Sequence, residues 1–242
     1  MKIPKSIEPD RIKDAIIEVN FESELPNEVN LGMFFSVLKN DYKYSNKPIG
    51  TKQLTSNSMN FDKEITLSLG GISLFYNDKI KFQINNNSIA FNCLEKYLLW
   101  DNYSNEIKKV LNLVSSTGTI KKIKRVGVRY ISEYSQIDLK DNTNFSFTFG
   151  FPNVVSNNYS FSTEFDLKDF RVVLNLSNKI PIVINNVIVP TSVIDIDVVK
   201  NNLDINEFNN LFEIINLAHD LEKEVFFQIL KEDFLVKLNP QY

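Results

Sequence analysis

The chain reads as an α+β protein, built as an internally duplicated antiparallel β-meander plus closing helix, with the two halves packed as one globular unit. Three observations predict this. Strand-like runs open both halves, Ala15–Phe21 (AIIEVNF) and Val126–Ser132 (VGVRYIS). Each is followed by an Asn-containing hairpin, IKFQINNNSIAFN from Ile80 and IPIVINNVIVPTSV from Ile180. Each hairpin then runs into residues of helical period. The expected halves are 1–118 and 119–242.

In order, Ile12–Phe21 alternates as a strand, and Glu22–Pro26 is turn-prone. Asn27 is a candidate cap for a helix whose apolar residues Leu31, Phe34, Phe35 and Leu38 fall at i, i+3, i+4 and i+7. Residues 40–60 lack periodicity and read as a long loop. Glu64–Tyr76 alternates around Gly70–Gly71, which suggests a bulge or bend. Ile80–Ile84 and Ile89–Cys93 flank Asn85–Asn87, residues that tolerate left-handed turn conformations. Tyr103, Ile107, Val110, Leu111 and Val114 mark a helix that Gly118 ends. The second half predicts strands near 122–134, 145–151, 158–167, 170–177, 180–189 and 192–199. A last helix over about 206–231 carries Leu211, Ile215, Ala218, Val225, Phe226 and Ile229, with Asp204 or Asn206 as caps.

With 43% hydrophobic and 12% aromatic residues the chain has ample material for a core, which excludes global disorder. A net charge of −3 and a pI near 5.4 argue against general nucleic-acid binding. Cys93, the single cysteine, cannot close an intramolecular disulfide, so the expected compartment is a reducing cytoplasm. No apolar stretch approaches the ~20 residues that span a bilayer, and the N-terminus lacks the apolar region of a secretion signal; no membrane partner is expected. Asparagine makes up about an eighth of the chain, and lysine far outnumbers the arginines Arg11, Arg125, Arg129 and Arg171. An AT-rich genome accounts for such a bias.

Chemistry-bearing patterns are sparse. GxGxxG, GxxxxGK[ST], GxSxG, HExxH and CxxC are all absent. One histidine and one cysteine cannot furnish an ordinary zinc site. A Cys93–His219 nucleophile pair is arithmetically open, but Cys93 lies in an apolar strand, where it reads as a small buried hydrophobe. Seven glycines leave little scope for phosphate-cradling loops. No cofactor and no enzymatic activity are therefore expected.

Three constellations remain. Lys121, Lys122, Lys124, Arg125 and Arg129, interleaved with Tyr130 and Tyr134, form the one basic cluster with aromatics. Arg125 and Arg129 share a strand face with Gly127, a composition suited to a phosphate backbone; exposed lysines also protect sheet edges. Asp195 and Asp197 share a face two residues apart, as ligands of Mg²⁺ or Ca²⁺ would, or as salt-bridge partners of Arg125 and Arg129. His219 sits at the edge of the final helix's apolar stripe and Glu222 near its middle. They read as an acid–base pair or partner patch, or as a satisfied core-edge histidine beside a snorkelling or paired glutamate.

Several segments resemble a known family. IEPDRIKDAIIEVNF is similar to a PPIVEAVIEIRF-like opening, and KIKFQINNNSIAFNCLEKYLLWDNYSNEIKKVL to a block of the form QxQxxRFxxNW followed by YPxY and a helix. RVGVRYIS is similar to a YIN strand, and SVIDIDVV with Ala218–His219 and EVFFQILKEDFLVKLNP to a tail of the form DID, AH, F, T. Together they resemble a sporadically distributed, functionally uncharacterised bacterial protein family of about this length. The family's Arg-Phe appears here as Ser88–Ile89, and its Trp is displaced to Trp100. The resemblance assigns no catalytic residues. It implies a cytoplasmic protein of mobile or accessory gene cassettes, such as defence or toxin–antitoxin loci.

The expected function is that of a non-enzymatic interaction protein, an accessory or regulatory subunit of a bacterial complex in phage defence or a toxin–antitoxin-like locus. Its partner would be another protein subunit, and homo-oligomers are compatible. The alternative is a nucleic-acid or nucleotide binder using strand 121–129.

Overall fold

Alternation of side chains decides most of the backbone here. In Ile12–Glu22 the residues Ala15, Ile17, Val19 and Phe21 are buried, and those between them are half-exposed. The computed structural model describes residues 3–46, 73–85, 87–147, 158–184, 187–204 and 208–242. They form a mixed α+β fold. The elements are β1 (Ser6–Ile7), β2 (Ile12–Glu22), α1 (Asn27–Leu38), β3 (Lys43–Ser45), β4 (Ser73–Tyr76), β5 (Ile80–Asn85), β6 (Ser88–Cys93) and α2 (Trp100–Ser115). There follow β7 (Lys122–Ser135), α3 (Leu139–Asn142), β8 (Tyr159–Leu167), β9 (Phe170–Ile184), β10 (Val187–Lys200), α4 (Phe208–Ile229), α5 (Glu232–Lys237) and β11 (Pro240–Gln241).

The expected halves, 1–118 and 119–242, follow chain order; grouping by contact follows space. One compact unit comprises 1–15, 127–200 and 213–242, the other 16–126 and 201–212. Residues of β2, β7 and α4 contribute to both.

In the second of these units the hydrogen-bonded strand order is β3-β4-β5-β6-β2, with antiparallel pairing throughout. Its register is pinned by one row of side chains: Tyr44 opposes Phe75, Phe75 opposes Phe82, Phe82 opposes Phe91, and Phe91 opposes Ile17. Phe75 and Phe82 stack at 5.4 Å and 8°, and Tyr42 meets the edge of Phe82 at 5.1 Å. A slip of one residue would turn this row to the opposite face. The β5–β6 turn places Asn87 at φ 59°, a conformation asparagine accepts more readily than most residues. α2 buries Tyr103, Ile107, Val110, Leu111 and Val114 at helical spacing, and Gly118 follows at φ 68°.

In the other unit the order is β7-β10-β9-β8. Leu176 opposes Ile194, Leu174 opposes Ile196 and Val172 opposes Val198, which makes one face of β9 and β10 continuously apolar. On α4, Ile215, Ala218, Leu221, Val225 and Phe227 are buried.

Several expectations are corrected. Asn27 is the first helical residue rather than the cap; Pro26, at φ −56° and ψ 149°, holds the cap position without a side-chain hydrogen bond. Phe35, expected on the buried stripe, is 40% exposed, and Asn30 is buried instead. The supposed strands 170–177 and 180–189 are not two strands. β9 continues to Ile184, and residues 187–189 already belong to β10. The polar break Ser177-Asn178-Lys179 is absorbed as an irregularity, with Lys179 at φ 48° opposite a register shift between Thr191 and Val193. Phe145–Phe147 are irregular, and the rest of the strand expected over 145–151 lies outside the described residues, as do Gly70–Gly71, Asn206 and most of the 40–60 loop. Within that loop β3 is formed.

Because Phe82 is fully buried between two paired rings, Phe82→Ala is expected to cost about 3–5 kcal/mol. Urea unfolding of the variant checks this; a loss below about 1 kcal/mol would show that the row is not what holds the register.

Candidate functional site

The strongest polar arrangement crosses four neighbouring strands. Arg129 on β7 donates from Nε and Nη2 to Oδ1 and Oδ2 of Asp195 on β10, at 2.8 and 2.7 Å. Asn175 on β9, directly opposite Asp195, donates from Nδ2 to Oδ2 at 3.2 Å. Ser162 on β8, opposite Asn175, donates to its Oδ1 at 2.7 Å. Strand alternation puts all four side chains in one row. Asp195 is 2% exposed, whereas the Arg129 side chain retains 34% exposure. The Asp195 hydrogen bonds, helped by the charges of Asp197 and Asp14, raise the pKa of the Arg129 guanidinium. Such a fork-to-fork pair satisfies a carboxylate completely enough to bury it. It also fills both oxygens that a Mg²⁺ or Ca²⁺ ion would need. Among the described residues no three His, Cys, Asp or Glu side chains converge on a metal position.

The basic cluster is matched charge by charge. Arg125 donates from Nη1 to Glu18 at 2.6 Å. Lys121 lies 3.8 Å from Glu24, Lys122 2.8 Å from Asp204, and Lys124 3.0 Å from Glu22. Asp204, expected as a helix cap, is thus an ion-pair partner. Neutralised cations project little field beyond a Debye length of about 8 Å at physiological salt. A phosphate backbone, by contrast, gains from cations whose charge is uncommitted.

His219 and Glu222 face inward from α4, at 6% exposure each. Glu222 does not snorkel. Burial pushes its carboxyl up to about 8, against the opposing charge of Lys223 and with a smaller push from Asp195. Burial, and secondarily Lys223, pushes the His219 imidazole down to about 3. The His219 ring lies 5.6 Å from that of Tyr130. At neutral pH both groups are therefore uncharged, which is how two titratable side chains avoid the cost of buried charge. They are poorly matched as an acid–base pair: the acid keeps its proton and the base is too weak to take one.

The structure thus brings Arg129 and Asp195 together, pairs Arg125 with Glu18, and leaves Asp197 close enough for its charge to act on Arg129. It keeps Cys93 on β6, in one unit, and His219 in the other. Asn175, Ser162, Glu18, Glu22 and Glu24 were missed in the sequence. Glu18 carried a signal, since it sits on the polar side of the alternation in AIIEVNF. Asn175 carried none, because asparagine is everywhere in this chain.

Arg129→Met strands a buried carboxylate, and a loss of about 3–5 kcal/mol is expected in urea unfolding. Asp195→Asn should cost less than half as much, because Arg129 reaches water. Arg129→Met combined with Asp195→Leu should recover most of the loss; additive losses in the double variant would contradict the pairing.

The sign of the pH effect follows from both groups being neutral when folded. Unfolded Glu222 ionises from pH 4.5, the folded group only at about 8, so its contribution to stability is lost as pH rises through that window. Unfolded His219 protonates below pH 6.5 and the folded group near 3, so its contribution is lost as pH falls. The two slopes cancel between 4.5 and 6.5, and from 6.5 to 8 stability drops at about 1.4 kcal/mol per pH unit. Urea midpoints across pH 5–9 should show the drop above 6.5 in the parent, whereas Glu222→Gln should rise from 5 to 6.5, where the His219 slope is no longer cancelled, and stay flat above; parallel curves would refute it.

No protein-family model matches this chain, and no curated protein matches it.

Proposed function

We propose that the chain is a non-enzymatic interaction protein, an accessory or regulatory subunit of a larger bacterial complex. One observation carries this reading. The charged groups that would do chemistry are committed to one another, while large apolar side chains are left outside. Val183, Val187 and Ile188 are 66%, 61% and 67% exposed, and on or beside α1, Leu25, Val29 and Met33 are 39%, 47% and 36% exposed. Helix α1 carries one charge in twelve residues, Glu28, where a solvent-facing helix ordinarily carries several. Grouped apolar exposure of this kind is the usual mark of a protein-binding surface.

The duplicated plan belongs to the same reading. The proposed duplication would match β2, α1, β3–β6, α2 with β7, α3, β8–β10, α4, although the first meander has one strand more and α3 is only four residues long. Both meanders pair antiparallel. Phage-defence or toxin–antitoxin-like loci are the setting in keeping with the family resemblance.

To check this, the tagged chain is purified from its native cells and weighed. An assembly well above 28.0 kDa, with a companion protein at fixed stoichiometry, is expected. A lone 28.0 kDa species that turns over any substrate would remove the reading. Salt-dependent RNA or DNA binding, abolished by Lys122→Glu with Lys124→Glu, would replace it with the nucleic-acid alternative.

A further inference from the structure

We infer that the contact between α4 and β7 is a pH-operated seam: loss of the Glu222 proton opens α4 over residues 213–222 while β9 and β10 stay paired. The inference goes beyond the interaction-protein reading and does not depend on it. Val128, Tyr130, Ser132 and Tyr134 form the buried face of β7, and the His219 ring lies 5.6 Å from that of Tyr130. Glu222, one turn after His219, is 6% exposed. Among the described residues no hydrogen bond or ion pair reaches its carboxyl. Tyr134 is 1% exposed, and its hydroxyl is buried without a hydrogen-bond partner; Ser132 lies beside it but outside hydrogen-bond geometry. A buried donor left unmade and a buried acid with neither cation nor donor both weaken the contact they sit in. Such a contact opens more readily than the continuous apolar face of β9 and β10.

The charges around the seam make the Glu222 proton its operating part. Burial outweighs the Lys223 charge, which favours ionisation, and the Asp195 charge on β10 adds a smaller push against it. His219 supplies no counter-charge, because its imidazole stays neutral down to about 3. On β7, burial keeps the Tyr134 hydroxyl protonated; Arg11 opposes this, and Asp10 and Glu222 act with it. In the closed helix Glu222 ionises at about 8, whereas in an opened one it ionises from 4.5. Between those values each added pH unit therefore shifts the opening equilibrium about tenfold towards the open helix.

The far end of α4 confines the opening. Asn144 donates from Nδ2 to the Gln228 and Leu230 carbonyls at 2.9 and 3.1 Å, and from its N–H to the Ile229 carbonyl at 2.7 Å. The Lys231 N–H reaches the Asn142 carbonyl at 3.0 Å, and Lys168 pairs with Glu224 at 2.5 Å. Everything past Glu222 is thus fastened to other segments. β9 and β10 keep their register through backbone pairing in which Glu222 has no part. Opening brings Glu222 to water and uncovers Tyr130.

Amide hydrogen exchange on the full chain, corrected for intrinsic rates and repeated in low urea, tests the seam. At pH 8 the amides of 213–222 should exchange through an opening at least about tenfold more frequent than that of 172–176 and 194–198, and nearly insensitive to urea. From pH 6.5 to 8 that opening should become about 30-fold more frequent, and in Glu222→Gln it should not change with pH. Tyr134→Phe, which removes the unpartnered hydroxyl, should make the opening rarer at both pH values and keep the 30-fold rise. Helix and sheet amides that share one opening frequency and one urea dependence would overturn the inference, since α4 would then part only when the whole unit unfolds. A pH-independent opening in the parent, a rise retained in Glu222→Gln, or an opening untouched by Tyr134→Phe would overturn it too.

Discussion

Burying the Asp195 carboxylate is the constraint on which much of this structure turns. A carboxylate at 2% exposure is tenable only with a cation and further donors around it, and β7 and β9 supply them. The requirement reaches into strand register. Arg129, Asp195, Asn175 and Ser162 can meet only if four strands present these residues on the same side, and a one-residue slip in any strand breaks the row. It also reaches Glu222. Burial alone is the main reason the helix residue keeps its proton, and the Asp195 charge adds a smaller push in the same direction.

Elsewhere the same economy appears at the surface. Lys121, Lys122, Lys124 and Arg125 would be a basic stripe if their neighbours were neutral. Glu24, Asp204, Glu22 and Glu18 turn it into four local dipoles. Exposed pairs of this kind contribute little to stability, about 0–1 kcal/mol each. Their larger effect is to cancel the field. A cluster conspicuous in one dimension is thereby electrostatically quiet in three, since the acids that match it come from β2, the turn after it and the segment before α4.

What was legible in the sequence was whatever repeats at a short period. β2, β5, β6, β7, α2 and α4 lie close to where alternation or helical spacing puts them, because each buries one face; β8 also lies where its alternation puts it, although none of its side chains is buried. β1, β11 and α3 are two to four residues long and give no period to read. The continuity of β9 was hidden for a different reason. Ser177-Asn178-Lys179 looks like a turn, yet Asn178 is buried and its Oδ1 accepts the N–H of Leu139 at 2.7 Å. Ser192 accepts the Lys179 N–H at 3.0 Å and donates to the Ile137 carbonyl at 2.6 Å. Tertiary partners satisfy polar groups that would otherwise have ended the strand. Of the candidate site, the Arg129–Asp195 pair was foreseeable as opposite charges of matching parity, whereas the neutral state of Glu222 depends on depth of burial.

The β9–β10 pair beyond that irregularity inverts the ordinary distribution of side chains, with Val183, Val187 and Ile188 exposed. Up to Asn178, β9 has neighbours on both sides, and its apolar residues are buried by β8, β10 and the core. Among the described residues β8 pairs with β9 only as far as Asn178, and Val183, Val187 and Ile188 beyond it stay exposed. The β10 edge is still held at Pro190, whose carbonyl accepts the Gln136 N–H at 2.8 Å, so the facing prolines Pro181 and Pro190 remove donors without leaving that edge unbonded.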